Sequence, residues 1–217
     1  MLLLRQASPL LRARTPLIHR PAFRFVSTLP ENDHIYVHPT ETPQIHRLSL
    51  LPTPEPELSL GTTTVLPPTP RAFKENPLFL PLIRPILSQS AAKDPIVQSD
   101  ALAFASTGGS SFHAPKPRAS SGGAGGANVQ GGAGGAGVGG WLHVYDMRGV
   151  PAFGRIPETE DILGSILVDG SGKLVDGSWE DNVMYRPVTA QGTIRLSDYL
   201  HQKVVDGLNK KKKSGGL

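Results

Sequence analysis

Residues 122–140 read GGAGGANVQGGAGGAGVGG, a run with almost no side chain to bury. Such a tract has neither the apolar area for a core nor the stiffness for a regular element. It is expected to behave as a flexible coil, with folding confined to either side. With 21 prolines and 24 glycines among 217 residues, about a fifth of the chain is punctuation, and only 38% is apolar. That composition leaves material for one small domain rather than two. The linker is read as residues 91–140.

Downstream, residues 141–208 carry both tryptophans, Trp141 and Trp179, and three of the four tyrosines, Tyr145, Tyr185 and Tyr199. Burying aromatics is how a small domain gains much of its stability, so a core is expected here. The alternation WLHVY over 141–145 suits a strand with Trp141, His143 and Tyr145 on one face and Leu142 and Val144 on the other. Pro157, followed by Glu158, Glu160 and Asp161, suits the start of a short helix over about 157–163. The runs 165–168 and 173–175 flank Asp169-Gly170-Ser171-Gly172 as a hairpin, and strands over 183–188 and 193–196 are read to follow. Ser197 suits an N-cap, and Leu200, Val204 and Leu208 form one apolar stripe on a C-terminal helix. The fold class predicted is α+β: a small antiparallel sheet with a short helix and a C-terminal helix, the remainder largely disordered or extended. A module of this size is marginal on its own, so support from the upstream residues or a partner is expected.

Residues 1–28 contain Arg5, Arg12, Arg14, Arg20 and Arg24 and no acid, mixed with leucine, serine and threonine. This is the composition of a mitochondrial presequence, with a mature start near Val26 to Thr28. Removing those five arginines takes the formal charge from +4 to about −1, so the mature chain is not a generally basic nucleic-acid binder. No window approaches the roughly 18–20 apolar residues of a membrane span, so no transmembrane segment is expected. Residues 29–72 are rich in proline and read as an extended arm, in which 35–37 and 47–51 are candidate edge strands. Residues 73–90 gather Phe73, Phe79, Leu82 and other apolar side chains that must be covered somewhere. With prolines at 77, 81 and 85 breaking it into single turns, this segment reads as a short kinked helix packed on the module. A docking peptide for another protein and a membrane-surface segment are its other readings.

Chemical motifs are few. Cysteine is absent, which excludes disulfides, thiolate zinc sites and cysteine nucleophiles. Residues 135–140 match G-x-G-x-x-G, but low complexity precedes the match and a strand follows it, the reverse of what a dinucleotide site needs. His143 and Asp146, with Arg148 nearby, form a polar cluster read as hydrogen bonding at a strand end. Glu158, Glu160 and Asp161 have no histidine in the next turn, and Asp169 to Gly172 lacks the further oxygens of a calcium loop. No cofactor, metal or catalytic residue is expected. The basic tail, 209–217, holds Lys210, Lys211, Lys212 and Lys213, which can meet phosphates of RNA or an anionic membrane surface, or simply face water.

Residues 69–77 (TPRAFKENP), 141–148 (WLHVYDMR) and 153–162 (FGRIPETEDI) resemble segments of uncharacterised fungal mitochondrial proteins. That resemblance implies a mitochondrial setting and carries no activity. The function expected is that of a non-catalytic accessory or assembly protein in the matrix or on the matrix face of the inner membrane. It would dock on a larger respiratory-chain or inner-membrane complex, with Phe73, Phe79, Leu82, Trp141 and Trp179 as candidate partner contacts. The alternative is a peripheral protein of the mitochondrial ribosome or its RNA, using Lys210 to Lys213.

Overall fold

The computed structural model describes residues 26–105, 139–151 and 156–214. Nearly all of the expected presequence, most of the linker with its glycine motif, and the last residues of the tail lie outside the described residues.

The fold is α+β with antiparallel sheets. Strands β1 (Ser27–Leu29), β2 (Asn32–Pro39), β3 (His46–Ser49), β4 (Gly61–Thr63) and β5 (Phe73–Glu75) form a sheet in which each pairs with its neighbour in sequence. The expected extended arm is therefore a folded meander, and β2 and β3 are interior strands rather than edges. The placement of its prolines explains the difference, for only Pro39 lies in a strand, as the last residue of β2. Pro43, then Pro52, Pro54 and Pro56, then Pro67, Pro68 and Pro70 all fall in the connections between strands. There they fix turns and remove no ladder hydrogen bond. Between them, Ile35, Leu48, Leu51 and Leu60 are wholly or almost wholly enclosed.

Helix α1 (Phe79–Ser90) follows, and Phe79, Ile83 and Leu87 recur every fourth residue along its buried stripe. The prolines expected to break this segment do not. Pro77 lies before the helix and Pro81 in its first turn, where an N–H has no helical partner in any case, so only Pro85 removes an internal bond. Helix α2 (Pro95–Ala105) occupies residues assigned above to the linker. Asp94 caps it, its Oδ1 accepting from Ile96 N at 2.9 Å, and Pro95 takes the first helical position.

In the C-terminal part, β6 (Gly140–Tyr145), β7 (Ile162–Val168) and β8 (Glu180–Asp181) form a three-stranded sheet in that order. The helix expected near 157–163 is a single 3-10 turn over Thr159–Asp161 that runs straight into β7. At the expected 169–172 turn the ladder continues only as a bridge between Val168 and Leu174. The last pair, β9 (Val188–Thr189) and β10 (Gly192–Thr193), is where a hairpin was expected and much shorter. Helix α3 (Asp198–Ser214) buries Leu200, Val204 and Leu208 as the stripe predicts, and Leu200 N donates to Ser197 Oγ at 3.1 Å as the cap predicts.

One apolar cluster unites both parts. It contains Ile35 and Leu48 of the first sheet, Phe79 and Ile83 of α1, Val144 and Ile166 of the second sheet, and Val204 of α3. Helices α1 and α3 meet closely at Gly207, where a Cβ would stand 2.4 Å from Ile86 Cδ1. Polar links follow the same seam. Asn32 Nδ2 donates to Thr193 Oγ1 at 3.1 Å and Ile194 O at 2.8 Å, and Ser197 Oγ donates to Asp94 Oδ2.

Candidate functional site

The polar cluster at the end of β6 is a buried network. Asp146 is wholly enclosed. Its Oδ1 accepts from Arg148 N at 3.0 Å and Arg195 N at 2.8 Å, while Oδ2 accepts from Tyr185 Oη at 2.8 Å. The Arg148 guanidinium, also enclosed, donates from Nε to Asp161 Oδ1 at 2.8 Å. Its other nitrogens donate to the carbonyls of Pro187, Glu160 and Arg186 at 3.0, 3.1 and 2.7 Å. Burial holds the Asp146 carboxyl above its ordinary range, against the opposing pull of Arg148 and of its hydrogen bonds. Burial, with Asp146 beside it, pushes the Tyr185 phenol well above its ordinary value. The network ties β6, the turn before β7 and residues 185–195 into one unit.

His143 is not part of it. Its Nδ1 shares a hydrogen bond with Ser165 Oγ at 2.9 Å, and burial lowers its pKa. The acids near 160 diverge: Asp161 turns inward to Arg148, whereas Glu160 reaches Arg186 at 3.9 Å. Asp169 Oδ1 closes its own turn, accepting from Ser171 N, Ser171 Oγ and Lys173 N. Among the described residues, no group of three or more His, Cys, Asp or Glu is placed to hold a metal ion. No helix among them is long and apolar enough to cross a membrane.

What the network supports lies at the surface. Between β8 and β9, the turn Asn182–Tyr185 is held at both ends. Asn182 Nδ2 donates to Thr159 O at 2.6 Å and Ile162 O at 2.8 Å, and its Oδ1 accepts from Met184 N at 3.0 Å. Tyr185 is anchored on Asp146, and Arg186 N donates to Glu160 O at 3.1 Å. Between these anchors Val183 is 76% exposed and Met184 55% exposed. Next to the turn, Pro70, Phe73, Glu75, Glu160, Arg186 and Val188 line a groove of about 410 Å³. Arg186 bridges its rim, 3.3 Å from Glu75 and 3.9 Å from Glu160.

The expected contact residues fare differently. Phe73 lines this groove. Phe79 is fully enclosed and offers nothing to a partner, because it is the first of the three residues that seat α1. Leu82 and Trp179 are half-buried against the core. Trp179 lies over Gly164, where a Cβ would stand 2.3 Å from the ring, and its Nε1 donates to Asp181 Oδ1 at 2.7 Å. Trp141 is half-buried on β6, opposite Leu167. The lysine run is no separate tail, for Lys210 to Lys213 complete α3, and Lys212 Nζ reaches Glu55 at 3.2 Å and Thr53 at 3.0 Å. Sequence reasoning took Val183 and Met184 for strand residues; the polar residues around them, Asn182 above all, were the available signal for a turn.

Comparison with protein-family models, with curated proteins and with solved structures gives no match.

Proposed function

We propose that this chain is a non-catalytic mitochondrial accessory protein that docks on a larger respiratory-chain or inner-membrane assembly. The observation that carries the reading is the turn Asn182–Tyr185, two exposed apolar side chains held in place by the hydrogen bonds of Asn182 to Thr159 O and Ile162 O and by the buried bond of Tyr185 to Asp146. Exposing Val183 and Met184 brings no folding benefit. Fixing them in advance lowers the entropy lost when a partner covers them. The arginine-rich, acid-free residues 1–28 supply the mitochondrial part of the reading. Cleavage near Val26 would leave β1, which begins at Ser27, at the start of the mature chain.

Native electrophoresis of mitochondria expressing tagged protein tests it. The wild-type chain migrates with a large complex, and the Val183→Ser/Met184→Ser variant migrates near its own mass with unchanged thermal stability. Migration of the wild-type chain as a free monomer contradicts the reading.

A second reading, a peripheral protein of the mitochondrial ribosome or its RNA, is favoured by one observation. Lys203, Lys210 and Lys213 are exposed and recur at helical spacing along one line of α3. Helical winding points Lys211 elsewhere, and Lys212 is engaged by Glu55. Loss of ribosomal co-sedimentation on replacing Lys203, Lys210 and Lys213 by alanine is the result this reading requires.

A further inference from the structure

The exposed turn has a charged surround, and its sign is uniform enough to say what fits it. Glu180 and Asp181 lead into the turn on β8, and both are exposed. The hydrogen bonds of Asn182 to Thr159 O and Ile162 O bring the 158–162 backbone alongside, with Glu158 and Glu160 exposed on it. Arg186, the cation that directly follows the turn, is already shared between Glu75 and Glu160. Two apolar side chains thus stand among carboxylates that outnumber the cation beside them.

We infer that the turn Val183–Met184 and its carboxylate rim receive a basic amphipathic segment of a protein partner, the apolar side chains meeting Val183 and Met184 and the flanking Arg or Lys meeting Glu158, Glu160 and Glu180. This rests on the docking reading above and names the chemistry of its partner. Apolar contact at the centre supplies most of the affinity, as in interfaces where a few anchors dominate. The rim governs choice and association rate, because an acidic segment of equal hydrophobicity would bring like charges together. Ile156, two residues before Glu158, is also exposed, at 57%.

The experiment uses the full chain and three labelled synthetic peptides followed by fluorescence anisotropy. One is a leucine/arginine amphipathic helix, the second its leucine/glutamate counterpart, and the third an arginine/serine peptide of equal charge. The leucine/arginine peptide binds saturably and more weakly as salt rises, and the other two bind at least about tenfold more weakly. Val183→Ser/Met184→Ser and Glu158→Lys/Glu180→Lys each weaken it about tenfold, with melting temperatures unchanged because all four side chains are exposed. Equal binding of the glutamate peptide, or indifference to both variants, overturns the inference. Native electrophoresis of the same variants separates the two failures. If Val183→Ser/Met184→Ser abolishes assembly and Glu158→Lys/Glu180→Lys leaves it intact, docking stands and the basic partner falls. If neither variant disturbs assembly, docking through this turn falls as well.

Discussion

Arg148 shows how one side chain organises its surroundings. It compensates Asp146 and Asp161, both buried, and donates as well to the carbonyls of Pro187, Glu160 and Arg186. Arg148→Met leaves two carboxylates enclosed without a counter-ion and is expected to cost about 3–5 kcal/mol in urea denaturation. Tyr185→Phe, which removes one donor to Asp146, costs about 1–3 kcal/mol. The sequence marks Asp146 and Arg148 as a polar cluster by proximity alone. Tyr185 lies 39 residues further on, and nothing local announces that its hydroxyl turns inward. A second residue-scale feature is the stack of His34 on His201, with ring centroids 4.0 Å apart. Burial, then the neighbouring His34, lowers the His201 pKa, while Asp198 and Asp33 oppose the shift. An unfolded histidine takes up its proton near about pH 6.5 and the folded ring only below that. The unfolded chain therefore binds more protons in that interval, and stability falls as pH drops through it, levelling off below the folded value. His201→Gln flattens this loss in pH-dependent thermal melts, and His143, also lowered by burial, keeps a remainder.

At the level of elements, α3 was legible because its signals are local: a serine cap and an apolar residue every fourth position. Helix α2 is less legible: Asp94-Pro95 is a cap followed by a first-turn proline, but the low-complexity stretch that follows the helix masks its end. Of the meander β1 to β5, only stretches of β2 and β3 read as strands in sequence, for a related reason. Prolines counted along the chain suggest an arm, whereas prolines placed in the connections mark the spacing of strands. The caps of α2 and α3 are also joined, since Ser197 Oγ accepts from Leu200 N and donates to the buried Asp94 carboxylate. Ser197→Ala removes a helix cap and a partner of Asp94 together, and is expected to cost about 2–3 kcal/mol in equilibrium unfolding. Ser197→Thr keeps both bonds and stays within about 1 kcal/mol of the wild type.

For the whole molecule, one small domain was expected, with the 73–90 segment packed on the module, and enclosed residues from both sides of the glycine tract do share one cluster. Hydrophobic pattern identifies which residues seek cover, but not that Ile35 and Val204 share it. The chain also leaves and rejoins this body around one turn. A Cβ at Gly172 would lie 3.2 Å from Leu102 Cα, and one at Gly139 would lie 2.5 Å from Val168 O, just before that turn. The candidate site belongs to this scale too: in sequence Val183 and Met184 read as strand residues, and the turn that exposes them is held by anchors at 146–148 and 159–162. A photo-crosslinking residue at Met184, irradiated in intact mitochondria and compared with one at the exposed Ala190, tests that claim most directly. The account predicts one dominant adduct at position 184, mapped by mass spectrometry to a basic, apolar segment of an assembly subunit, and none at 190. No adduct at 184, or the same adducts at both positions, contradicts it.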